Sequence, residues 1–311
     1  MDSSNAKKEA KSKKTTPARL LELSRHPDPS VQLAVAKHSS TPVAALEYLG
    51  GHGKVTILKA VAEHLNTPPA MLERLAAHSR GTVRQAVTSN RATTLEILKT
   101  LSRDADDSVR YGVAENRQCT PDLLEQLARD ESARVRGCVT ANLNAPLELV
   151  RKLARDPEFQ VRGRTISRLL ADGQNDLLEL LARDENIQVR FWISQMIYDD
   201  LPVNLIALLA NDPEAYVRRG IAQRSDLEMA ILEQLLKDPA PQVRIALAYD
   251  KIRPIPTSVI EDLANDPDAD VRWRAVYNGA LSIVTLERLA AHDPADFVRE
   301  RATLALGFRQ P

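Results

Sequence analysis

A valine recurs along this chain at a nearly constant interval. It stands at Val83, Val109, Val135, Val161, Val189, Val217, Val243, Val271 and Val298, each followed by arginine, and looser copies precede these at Val31 and Ile57. The steps are 26 residues five times, then 28, 28, 26, 28 and 27. Such self-similarity restricts the chain to a repeat architecture. A unit this short cannot bury a core of its own, so its neighbours must supply the other half.

Other positions keep register with this anchor. Eight residues before it stands a leucine, from Leu23, Leu49 and Leu75 to Leu263, slipping by one only at Leu289. Four residues after it an apolar side chain is usual, such as Val87, Val113, Val139, Ile193 and Ile221, and the third position is usually small. Apolar residues at i and i+4 mark a buried helical stripe. Phrases such as "TPARLLEL" (16–23) and "TPDLLEQL" (120–127) place a first helix before the anchor, with Thr as cap and Pro in the first turn. A second helix runs through the anchor and ends near Asn or His, where asparagine is expected to close it in the left-handed conformation. The prediction is an all-α solenoid of about eleven two-helix repeats.

An aspartate precedes the anchor by five residues and an arginine follows it directly. The pattern includes Asp156 and Arg162, Asp184 and Arg190, Asp212 and Arg218, Asp238 and Arg244, Asp266 and Arg272. The carboxylate is expected to cap the second helix at the positive end of its dipole. Stacked at one repeat's spacing, Asp and Arg alternate down the array, each Arg bridging to a neighbouring unit's Asp. The planar guanidinium fork suits that role.

"LARDPEFQVRGRTIS" resembles HEAT repeats, and "AVAKHSSTPVAALEYLG" with the short period resembles the leucine-rich repeat variant family more closely still. The resemblance covers residues 16 to about 306. It implies a right-handed superhelical array of short helix pairs, in which one helix of each pair adopts a 3₁₀ form in that family. HEAT-like arrays line their concave surface with second helices, and partners bind there. An iron–sulfur module with clustered cysteines occurs in the variant family, but no such cluster is present here, so no cofactor is implied.

Charge and composition narrow the function. The 42 basic and 42 acidic residues balance, and five lysines (Lys7, Lys8, Lys11, Lys13, Lys14) crowd the first fourteen residues against Asp2 and Glu9, leaving 37 basic and 40 acidic residues in the body. Residues 1–15 read as a disordered, lysine-rich tail and 16–311 as one solenoid. Cys119, in a loop, and Cys138, in the core, are too few for a disulfide framework, which points to the cytosol. No stretch approaches the roughly 20 apolar residues of a membrane span. Five histidines occupy helix-end positions of the first three units, at repeat spacings too wide for shared zinc ligation. No phosphate loop, zinc spacing or serine elbow occurs, so no catalytic, cofactor or metal residues are assigned and no enzyme is expected.

The aromatic residues break the repeat, with ten of the twelve after residue 158. Positions one before, two after and six after the anchor share a helix face. In late units they hold Phe191; Tyr216 with Arg219; Ile245 with Tyr249; Trp273 with Tyr277; and Phe297. This composition is that of a binding hot spot. Packing under the longer loops, or sealing of the C-terminal end, would use the same residues. The expectation is a monomeric scaffold that binds a protein or peptide there. The alternative is a nucleic-acid-binding protein similar to the HEAT-like DNA glycosylases, which the slightly acidic body disfavours.

Overall fold

The computed structural model describes residues 2–196, 201–224, 226–248 and 256–308, and every helix and strand assigned among them is an α-helix. No 3₁₀ helix occurs among the described residues, so both members of each pair are α-helical. The helices are α1 (Ser3–Ala10), α2 (Pro17–Leu23), α3 (Pro29–Ala36), α4 (Val43–His52), α5 (Val55–Glu63), α6 (Pro69–Ala76), α7 (Gly81–Thr88) and α8 (Leu95–Leu101). There follow α9 (Asp107–Glu115), α10 (Pro121–Leu127), α11 (Ala133–Val139), α12 (Leu147–Leu153), α13 (Phe159–Ala171), α14 (Asn175–Ala182), α15 (Ile187–Ser194) and α16 (Val203–Ala210). The series ends with α17 (Ala215–Ala222), α18 (Met229–Leu236), α19 (Pro241–Leu247), α20 (Thr257–Leu263), α21 (Ala269–Asn278), α22 (Ile283–His292) and α23 (Asp296–Gly307).

From α2 onward the helices alternate as first and second members of eleven pairs. The anchors Val31 to Val298 are all fully buried, and the leucines eight residues earlier are buried with them. Each such side chain contributes about 1.5–3 kcal/mol on burial. Contacts group the chain into two compact units, residues 1–168 and 169–311, dividing inside α13. The period lengthens from 26 to 28 residues at this point, and α13 runs to 13 residues. Within each unit, successive second helices pack more closely on one another than successive first helices do.

In the first unit the lysine-rich segment, read from its composition as a disordered tail, carries α1. Ala6 and Ala10, four residues apart on α1, are fully buried where α1 packs on α3. Arg19 grips Glu9 with both ends of its fork, at 2.8 and 3.1 Å. The helix thus stands where a preceding second helix would. Lys8, Lys11, Lys13 and Lys14 stay exposed.

Asparagine does not close the second helices in the left-handed conformation. Asn116 is extended (φ −71°, ψ 129°), and no non-glycine residue among those described has positive φ. Its side chain instead reaches back one repeat, donating to Thr88 O at 2.6 Å, while its Oδ1 accepts the Gln118 N–H. Asn90 donates likewise to Ala62 O and His64 O, and Asn142 to Ala114 O and Asn116 O. His64 occupies the same position with the same double role. Its Nδ1 accepts the Asn66 N–H at 3.0 Å, so Nε2 carries the proton and donates to His38 O at 2.9 Å. His38 repeats this toward Ser40 N and Ser12 O. Imidazole and amide are therefore interchangeable here. His64→Asn is expected to leave the denaturation midpoint nearly unchanged, whereas His64→Leu lowers stability by about 1–3 kcal/mol, because the Asn66 N–H loses its acceptor and the His38 carbonyl one of its donors. Equal losses in both variants, measured by urea unfolding, would refute the exchange.

The aspartate–arginine series runs through both units. In the first, Arg84, Arg110 and Arg136 reach Asp104, Asp130 and Asp156 of the following repeat, each through two hydrogen bonds of 2.5–2.9 Å. In the second, Arg190, Arg218, Arg244 and Arg272 reach Asp212, Asp238, Asp266 and Asp293. Arg162 donates to the Asp156 and Pro157 carbonyls, and Asp184 accepts the Asn186 N–H. The aspartate is not the helix cap, contrary to expectation. It lies two residues before the capping residue, and its Oδ1 accepts that residue's N–H, as Asp238 does from Ala240 at 2.9 Å. The caps themselves are Asp28, Asp106, Asn186 and Asp268 where a side chain serves.

Candidate functional site

The second-helix surface of residues 169–311 is where the sequence departs most from its own repeat. Geometry there follows from register: the residue two after one anchor faces the residue one before the next. In the first unit this brings the Arg134 guanidinium to 4.4 Å from the centre of the Tyr111 ring. In the second unit the same register stacks Phe191 of α15 on Tyr216 of α17, with ring centres 3.9 Å apart at 20°. Gly220 lets these helices approach, since a methyl group there would collide with Ser194 Oγ. Phe191 is half-buried and Tyr216 is 46% exposed, so the stack lies at the surface.

A second group forms on α21. Trp273 and Tyr277, one turn apart, stack at 5.5 Å and 23°. The guanidinium carbons of Arg274 and Arg301 lie 5.1 and 4.6 Å from the Tyr277 ring centre, within cation–π range. Arg219 is exposed and Ile245 half-buried on the helices between the two groups, and Phe297 is 44% exposed on α23. Tyr249 lies outside the described residues. Sequence reasoning passed over Arg274 and Arg301, although a signal was there. Both occupy the third position after the anchor, where Ala34, Ala60, Ala86, Gly112, Gly220 and Ala246 let neighbouring helices close up.

Groups with reactive potential are otherwise engaged. Cys119, read as a loop thiol, is buried at 1% exposure, and burial pushes it up to about 12. It stands in register with Thr41, Thr67 and Thr93, whose hydroxyls donate to the carbonyls of Val35, Val61 and Val87. Burial likewise raises Cys138 to about 11. Thiols held so high are poor nucleophiles. His26 and His78 accept backbone N–H groups two residues on, at 3.1 and 3.0 Å. Among the described residues no three His, Cys, Asp or Glu side chains gather as metal ligands would. A depression of about 420 Å³ at the ends of α7 and α9, lined by Arg91, Glu115 and Arg117 among others, is open to solvent.

No protein-family model matches the chain, and no curated protein matches it. Solved structures do. A leucine-rich repeat variant with a novel repetitive structural motif is 27% identical, over 74% of this chain and 88% of that one, with a TM-score of 0.57. A chain from the complex of Kap95p with RanGDP aligns with 93% of this chain and 49% of its own length, at 13% identity and a TM-score of 0.38. Importin beta aligns at 11% identity over 93% and 40%, with a TM-score of 0.27. The fold is that of a helical repeat protein similar to the leucine-rich repeat variant. Among the described residues no helix is long and apolar enough to cross a membrane.

Proposed function

We propose that this chain is a non-enzymatic scaffold of the cytosol that holds a protein or peptide on the second-helix surface of its later repeats. The observation that carries this reading is the Phe191–Tyr216 stack, which crosses from one repeat to the next with nearly half of Tyr216 open to solvent. Aromatic and arginine side chains dominate the energetics of protein interfaces, and this surface offers Trp273, Tyr277, Phe297 and Arg219 as well. Nucleic acid is the weaker candidate. The arginines after the anchors spend their charge on aspartates, and the body has fewer basic than acidic residues, which disfavours a phosphate backbone.

The test is capture of partners from the native host's lysate, identified by mass spectrometry. The wild-type chain is compared with a Tyr216→Ser, Trp273→Ala variant. Tyr216 is nearly half exposed and Trp273 is half-buried on α21, and the variant is expected to keep its helical circular dichroism and lose the captured protein. Retention of the same partner by the variant would remove this surface from consideration. Capture of nucleic acid, lost steeply with salt, would favour the alternative.

A further inference from the structure

We infer that α21 and α23 form a seat for an amphipathic helix of another protein, one that brings a carboxylate to Arg301. The inference rests on reading this surface as the binding face, and it names the partner's chemistry. Along α23, Phe297, Arg301, Leu304 and Phe308 follow one another at i, i+4, i+7 and i+11, the spacing of a single helix face. Phe297 is 44% exposed, Leu304 56% and Phe308 86%. Phe308 keeps helical backbone angles (φ −79°, ψ −11°), so the face runs unbroken for three turns, roughly 16 Å. Beside it, α21 raises the Trp273–Tyr277 stack. Arg301 joins the two walls, since its guanidinium lies over Tyr277.

Such an apolar stripe beside an aromatic wall matches the ridge of a third helix, packed at the usual 8–10 Å. An extended peptide would seek a sheet edge for its backbone, and no strand exists among the described residues. The charge preference comes from Arg301. The neighbouring Arg299 is drawn to Asp296, and the other arginines that follow anchors in the second unit hold aspartates. Arg301 is half-buried, and its Nε is buried without a hydrogen-bond partner among the described residues. No carboxylate of the described residues pairs with this guanidinium, and a partner's carboxylate would meet its solvent-facing side with a charge-assisted bond. Glu300 shares the face but is exposed, so its charge stays solvated and screened.

The experiment pans a phage-displayed library of random sixteen-residue peptides against the full chain. Enriched peptides are then measured by fluorescence anisotropy against wild type, Arg301→Glu, Arg301→Lys, Leu304→Ser and Tyr216→Ser. The expected peptides carry Asp or Glu flanked by apolar residues at helical spacing. They lose roughly ten- to a hundred-fold in affinity on Arg301→Glu and on Leu304→Ser, and less on Arg301→Lys. Three results would overturn the inference: no enrichment, enriched peptides without an acidic residue, or binding indifferent to Arg301→Glu. Peptides lost on Tyr216→Ser yet indifferent to Arg301→Glu would sink this seat while leaving the proposed function standing. Unchanged melting of the Leu304→Ser chain, whose side chain is over half exposed, guards against unfolding as the cause.

Discussion

Replacing Arg244 with alanine lowers the free energy of unfolding by about 3–5 kcal/mol, the range for stranding one partner of a buried ion pair. Arg244 donates from Nε and Nη2 to the two carboxylate oxygens of Asp266, at 2.6 and 2.9 Å, and from Nη1 to the Asp238 carbonyl at 2.6 Å. Both side chains are at most a tenth exposed. Alanine would leave the Asp266 carboxylate with only the Asp268 N–H as donor, and take the Arg244 donor from the Asp238 carbonyl, in a place water reaches poorly. Lysine is expected to recover part of the loss, because it keeps the charge but not the fork that meets three acceptors at once. Denaturant unfolding decides the matter. A midpoint for Arg244→Ala within error of wild type would mean that the pair is solvated and contributes nothing.

Acid is expected to undo the same contacts together. Burial pushes the carboxyls of Asp104, Asp156 and Asp238 upward, but the guanidinium bonds and a backbone N–H outweigh it and hold them below the usual range. At Asp293 the Arg272 bond is itself the largest influence, again downward. A carboxyl lowered on folding binds its proton more readily in the unfolded chain, whose aspartates titrate near about 3.9. Its stabilising contribution is therefore complete well above that pH and is lost as pH falls through the folded values. Helical circular dichroism is expected to hold from neutrality to about pH 5 and to collapse below about pH 4. Asp238→Asn should make the chain weaker at neutral pH and less sensitive to acid. A collapse centred well above pH 5 would mean that other groups govern it.

The period, the helix pairs and the buried anchors were legible because eleven repetitions average away local ambiguity. Single residues were less so. Asparagine at a helix end suits both a left-handed closure and a reach across repeats, and only the fold says which happens at Asn116. The aspartate's place beside a helix start suggests a cap, but the second helix begins two residues later than composition implies. Ala6 and Ala10 were hidden among lysines, though their i, i+4 spacing is that of a packed face. Cys119 keeps step with Thr41, Thr67 and Thr93, so its burial could have been read from register. The candidate surface was legible as positions and not as pairs. Nothing in composition says that Phe191 meets Tyr216, or that Arg301 comes to rest on Tyr277, because those meetings depend on how far apart successive helices stand.

The polar contacts that reach from one repeat to the next share a length scale. Arg84 finds its carboxylate twenty residues on, as do Arg110, Arg136 and Arg218, and Asn116 finds its carbonyl twenty-eight back, as Asn90 and Asn142 do. Excising one whole period therefore leaves every partner where its counterpart expects it. A chain lacking residues 105–130 would join Asp104 to Glu131, so that Arg84 still meets Asp104 and Arg136 still meets Asp156. The gene is thus modular: segments can be lost or duplicated in units of one period without unmaking the joints between survivors. Length becomes a variable that evolution, or an engineer, can change without redesigning the fold.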